Sequence, residues 1–155
     1  MKRKKTYNQY KQGTYKPVNK HKYKGRGTPR YLSSWELKFF KWCDQNPAVV
    51  EWTSESIIVP YVNPLDKKVH RYMVDNVVKL KVGDKIEKYL IEIKPKKQTR
   101  PPTQHGNKKQ STILYENMTY IKNIAKWEAA RKWCKKKGYK FQILTEEHLF
   151  IENRR

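Results

Sequence analysis

Residues Val69–Lys94 read VHRYMVDNVVKLKVGDKIEKYLIEIK, two strand-like runs on either side of a Gly-Asp pair. Val69–Val82 is rich in β-branched residues, Gly83-Asp84 is a turn signal, and Glu87–Lys94 returns as the second arm of a hairpin. In an extended chain, residues two apart project from the same face. Glu92 and Lys94 therefore share a face, while Ile91 and Ile93 take the other. Counting outward from the turn sets Asp75 on the first arm level with Glu92 on the second. Two carboxylates and an ammonium at one end of a hairpin suit metal-assisted phosphodiester hydrolysis. The acids hold a hard cation such as Mg²⁺ or Mn²⁺, and the lysine orients or helps deprotonate the attacking water. An alternating Glu-Lys pair is more often a solvated face, and a motif this short matches by accident. Asp75 adds weight because it stands in the otherwise apolar and basic run YMVDNVVKL, where a buried acid needs a partner or a metal.

Upstream, Ser33-Ser34-Trp35-Glu36 reads as a capping box opening the helical run LKFFKWCDQ, with Glu36 at its N3 position. A helix start also points a carboxylate toward whatever lies beyond it, so Glu36 is compatible with both roles. Trp35, Phe39 and Trp42 form one apolar stripe with Cys43 beside it, and Asn46-Pro47 ends the helix. Ser56–Tyr61 is a short apolar strand. Downstream, Pro95–Asn107 is a basic loop. A long helix lies within Lys108–Lys137, with Ile113, Tyr120, Ile124 and Trp127 about one face and Gly138 as its stop. Tyr139–Leu144 is a last strand and Thr145–Phe150 a short closing helix. The order is α-β-β-β-α-β, an α/β domain. Arg71 shares the face of Asp75, and Lys96, Lys97 and Arg100 directly follow the Glu-x-Lys strand. These four cations are candidate contacts to a phosphate backbone, against the plainer readings of a sheet-edge salt bridge and a solvated loop. Trp52, Trp127 and Trp133 are expected in the core.

The 155 residues hold 36 Lys and Arg against 14 Asp and Glu, a net charge of +22. Charge of that size repels itself in a compact state, so a polyanion is the natural partner: nucleic acid first, an anionic membrane surface second. No stretch approaches the roughly 20 apolar residues of a membrane span, and the basic N-terminus lacks the apolar segment of a secretory signal. Residues 1–30 carry eleven of the cations, no acid and almost no aliphatic side chains. They read as a basic, disordered arm, with a folded domain over 31–155. Cys43 and Cys134 form no CxxC pair and the histidines are scattered, so a zinc site is not expected.

The α-β-β-β-α-β order with Asp…Glu-x-Lys resembles the restriction-endonuclease-like core of the PD-(D/E)xK nucleases, with a mixed central sheet flanked by helices. More narrowly it is similar to the TnsA-like nucleases and to the head completion nucleases of T-even-type tailed phages. The residues that carry this are YLSSWELKF (Tyr31–Phe39), VHRYMVDNVVK (Val69–Lys79), YLIEIKPKKQTRPP (Tyr89–Pro102) and NIAKWEAARKWCKKKGYKFQILTEEHL (Asn123–Leu149). The resemblance implies Glu36 as a helix-borne acid, Asp75 and Glu92 as metal ligands, and Lys94 as the lysine of the motif. Val74 stands where the family's proline precedes the aspartate, and Asn76 replaces a bulky apolar residue. The same resemblance implies an Mg²⁺- or Mn²⁺-dependent endonuclease acting on packaged double-stranded DNA in phage head completion. It would sit in the head or neck region of the virion, beside portal or neck proteins, after assembly in the host cytoplasm. A non-catalytic DNA-binding head or neck protein on the same fold is the alternative. A basic RNA-binding protein of ribosomal character is a third reading, for which no signature is visible.

Overall fold

The computed structural model describes residues 11–104 and 106–149; residues 1–10 of the expected arm, Phe150 of the expected closing helix and the C-terminal residues 151–155 lie outside it. In chain order the elements are β1 (Gly13–Thr14), β2 (Arg30–Tyr31), α1 (Ser34–Gln45), β3 (Val49–Ser54), β4 (Ile58–Val62), β5 (Val69–Met73), β6 (Asn76–Val82), β7 (Lys85–Ile93), α2 (Gln110–Lys137), β8 (Lys140–Leu144) and α3 (Glu146–Leu149). A central four-stranded sheet runs in the order β3-β6-β7-β8. Its pairs are antiparallel except β7 with β8, which is parallel because the long α2 crosses over between them. Counting only this sheet and its two long helices, the order is α-β-β-β-α-β. This is the order of the restriction-endonuclease-like core that the resemblance implied.

Two strand assignments need correcting. The first strand of the central sheet is Val49–Ser54, a stretch in which no strand was expected. A bulge between Val49 and Glu51 shifts its register and breaks the period-two alternation that would have revealed it. The run Ser56–Tyr61 instead supplies β4, which pairs with β5 in a separate two-stranded hairpin. The expected single strand Val69–Val82 is likewise two. Before Val74-Asp75 it pairs with β4, and after it with β3 and β7. The switch is stitched by Val74 N–H donating to Ile57 C=O (3.0 Å) and Glu55 N–H donating to Asp75 C=O (2.9 Å). Glu55 adopts a left-handed φ of 51° to make that turn.

Alternation along the strands gives the central sheet two apolar faces. On one, Trp52, Val78, Ile91 and Ile93 pack on Trp35, Phe39, Phe40 and Cys43 of α1. The buried stripe of α1 is thus rotated from the expected one: Phe40 takes the inward place, and Trp42 is 41% exposed. On the other face Val77 and Leu90 join Val59, Tyr61 and Tyr72 of the β4–β5 hairpin and Trp127, Ala130 and Cys134 of α2. The inward stripe of α2 is Asn123, Trp127, Ala130 and Cys134, at helical spacing. Of the expected set, only Trp127 is in it. Gly138 ends the helix at φ 78°, a left-handed conformation that glycine adopts without cost.

Residues 11–30 correct the expectation of a disordered arm. β1 pairs with β2, Tyr23 packs on Trp52, and Lys24 N–H donates to Trp52 C=O. The buried Asp44 at the end of α1 accepts hydrogen bonds from Tyr15 OH (2.6 Å), Val18 N–H (2.8 Å) and Asn19 N–H (2.9 Å). The anchors are tyrosines, not aliphatic residues. No helix of the described residues is long and apolar enough to cross a membrane.

Candidate active site

The β6–β7 ladder is in register from Val82 opposite Lys85 to Asn76 opposite Ile91, so Asp75 falls level with Glu92 as counted from the turn. Asp75 bends out of the strand at the β5–β6 switch, and its Oδ2 accepts a hydrogen bond from Ile93 N–H (3.0 Å). Glu92 points toward the α2 side of the sheet, opposite to its neighbours Ile91 and Ile93, and is 4% exposed. Lys94 follows the last residue of β7, with its N–H held by Leu144 C=O and its Nζ 3.5 Å from Glu92 Oε1. The expected group of Asp75, Glu92 and Lys94 is therefore gathered at one end of the hairpin.

Glu36 reaches the same place from α1. Ser33 Oγ accepts the Glu36 N–H (3.2 Å), and Glu36 Oε2 accepts the N–H of Leu32, so the capping box is made one residue beyond the N-cap itself. Burial, then the charges of Glu55 and Glu92, raise the Glu36 carboxyl above its ordinary range against the opposing effects of the Leu32 N–H and Lys94. Burial first, then the charges of Glu92 and Glu36, hold Asp75 well above the usual carboxylate range. Several acids in a poorly solvated place repel one another, and a cation relieves that repulsion.

Two groups at this site were not foreseen from the sequence. Tyr72 OH donates to Glu92 Oε2 (2.5 Å) across the space between β5 and β7, and burial followed by the Glu92 charge pushes its hydroxyl pKa far up. Lys126 of α2 lies over the rings of Tyr72 (5.6 Å) and Tyr61 (5.9 Å). The proposed phosphate contacts are not gathered in the same way. Arg71 is exposed on the face of β5 opposite to Tyr72, and so directed away from Glu92. Lys96 is tied to α3, its N–H on the Glu146 carboxylate and its Nζ on Glu147 Oε1. Lys97 and Arg100 are exposed beside it.

The donor set fits a hard divalent cation, since both donors, Asp75 and Glu92, are carboxylates. Among the described residues no group of three or more His, Cys, Asp and Glu is arranged to hold a metal, so the set rests on the Asp75–Glu92 pair.

The sequence matches the family described as TnsA-like endonuclease N terminal over residues 46–146, which takes in Asp75, Glu92 and Lys94. It is also 38% identical over 143 residues to the Head completion nuclease of Enterobacteria phage T4, an alignment spanning 88% of this chain and 92% of that protein.

Proposed function

Because the chain belongs to the TnsA-like endonuclease family, we propose that it is a metal-dependent DNA endonuclease whose site is Asp75, Glu92 and Lys94. The observation that carries this reading is the convergence of the two carboxylates and the lysine at one end of the β6–β7 hairpin. Asp75 and Glu92 would hold Mg²⁺ or Mn²⁺, which would supply Lewis-acid stabilisation of the charge developing on the phosphodiester. Ile93 N–H fixes the rotamer of Asp75, and Tyr72 OH fixes that of Glu92. Lys94, beside Glu92, orients the attacking water and assists loss of its proton. Glu36 adds a third negative charge from the start of α1, favouring a cation at this end of the hairpin. The net charge of +22 supports a polyanionic substrate, and double-stranded DNA fits the family.

We place this activity in phage head completion, following the name of the T4 relative, and extend that reading to the head or neck region of the virion, beside portal or neck proteins. The test is to incubate the purified chain with linear and circular DNA in Mg²⁺, Mn²⁺ or EDTA. Products in both metals and none in EDTA are expected. Cleavage that persists in EDTA, or intact DNA under every condition, overturns the reading.

A further inference from the structure

Lys126 is a partly buried lysine without a carboxylate within 4.0 Å among the described residues. Its Nζ lies over the rings of Tyr61 and Tyr72, the second of which holds Glu92. Its neighbourhood includes Lys94, Glu92, Lys122 and Asp75, each of which acts on its ammonium. Lys122 is one helical turn earlier, and Met118, Thr119, Asn123, Ala125, Ala129 and Ala130 occupy the other positions three and four residues from the pair. Two like charges at this spacing cost a helix a few tenths of a kcal/mol, and no acid at those positions of α2 offsets it. A solvated lysine would avoid both the burial and the repulsion by turning outward. Here two aromatic faces, which attract a cation, hold it in place.

From this placement we propose that Lys126 binds a non-bridging oxygen of the reacting phosphodiester from the α2 side of the site, opposite the sheet that carries Asp75 and Glu92. The inference rests on the nuclease reading and adds to it a residue outside the Asp…Glu-x-Lys motif. Lys94 serves the water, while Lys126 serves the phosphate. Lys122, one turn along α2, continues the cationic ridge toward the neighbouring backbone.

The test uses the full chain with Lys126→Met and Lys126→Gln, two neutral side chains of different shape, and Lys126→Arg, which keeps the charge. Duplex binding is measured in EDTA across a salt series, and single-turnover cleavage in Mg²⁺. Neutralising one phosphate fewer flattens the log–log salt slope by about 0.9. Both neutral variants are expected to show this and to cleave at least ~10-fold more slowly, about 1.4 kcal/mol. Lys126→Arg should keep the parental slope. A purely structural role would lower the melting temperature and leave the slope alone. A parental slope in both neutral variants, or a flattened slope with parental cleavage, overturns the proposal while the nuclease reading stands. A parent chain that does not cleave DNA removes the nuclease reading, and this proposal with it.

Discussion

Asp75 sits where burial and the charges of Glu92 and Glu36 all disfavour its ionised form. A carboxyl whose folded pKa exceeds its unfolded value costs nothing below the unfolded value of about 3.9, and its penalty is complete once the pH exceeds the folded value. At neutral pH without metal, Asp75 therefore destabilises the fold. Asp75→Asn keeps an oxygen for Ile93 N–H and removes the charge. It is expected to raise the melting temperature in EDTA, by about 2–4 °C for each kcal/mol of repulsion relieved, and to lose DNA cleavage. A thermal melt beside a nicking assay checks both; a lowered melting temperature would show that Asp75 is structural. The level placement of Asp75 and Glu92 was legible because a Gly-Asp turn makes register a matter of counting. Tyr72 was not, because its hydrogen bond to Glu92 closes over 20 residues and through the β5–β6 switch, which reverses the face that simple alternation assigns.

At the scale of elements, the two-sided sheet explains why α1 and α2 were readable and β3 was not. A helix advertises itself over many residues, and capping signals at Ser33 and Gly138 mark its ends. A six-residue strand with a bulge has too few repeats left to show a period. The inward face of α2 was misjudged because a small residue, Ala130, and a polar one, Asn123, are buried while Ile124 is 39% exposed. The Asp44 latch makes a prediction of its own. Burial works to raise this carboxyl, but the bonds from Tyr15, Val18 and Asn19 prevail and hold it low. Its contribution is present above the unfolded carboxylate value and is lost as pH falls through the lower folded one. Asp44→Ala leaves those donors unpaired and should cost about 1–3 kcal/mol at neutral pH. The cost should fade in acid. Denaturant unfolding of parent and variant from pH 7 to pH 3 measures it, and a difference independent of pH would contradict the latch.

Over the whole molecule, the N-terminal charge divides into two parts with different consequences. Residues 11–31 are bound to α1 and β3, whereas residues 2–5 add four cations, Lys2, Arg3, Lys4 and Lys5. Deleting residues 1–10 should flatten the salt dependence of DNA binding, by about 0.9 for each phosphate that is no longer neutralised. Deleting residues 1–30 should in addition lower the melting temperature, because Tyr15 and Tyr23 leave the core. Equal melting temperatures for the two truncations would mean that the 11–31 segment contributes nothing to the fold. Charge was fully legible in the sequence. The docking of residues 11–31 was not, since it depends on tyrosines meeting Asp44 and Trp52 from far along the chain.

The claim on which the rest depends is that Asp75, Glu92 and Lys94 act together as the cleaving centre. Lys94→Ala tests it most directly, since Lys94 is 30% exposed at its side chain and follows the last residue of β7, where truncation leaves the ladder intact. Supercoiled plasmid is incubated with equal amounts of parent and variant in Mg²⁺, and the rate of nicking is read from gels. The parent is expected to nick the plasmid and the variant to do so about 10²–10⁴-fold more slowly, with DNA binding and melting temperature close to those of the parent. A folded Lys94→Ala protein that nicks at the parental rate would contradict the account.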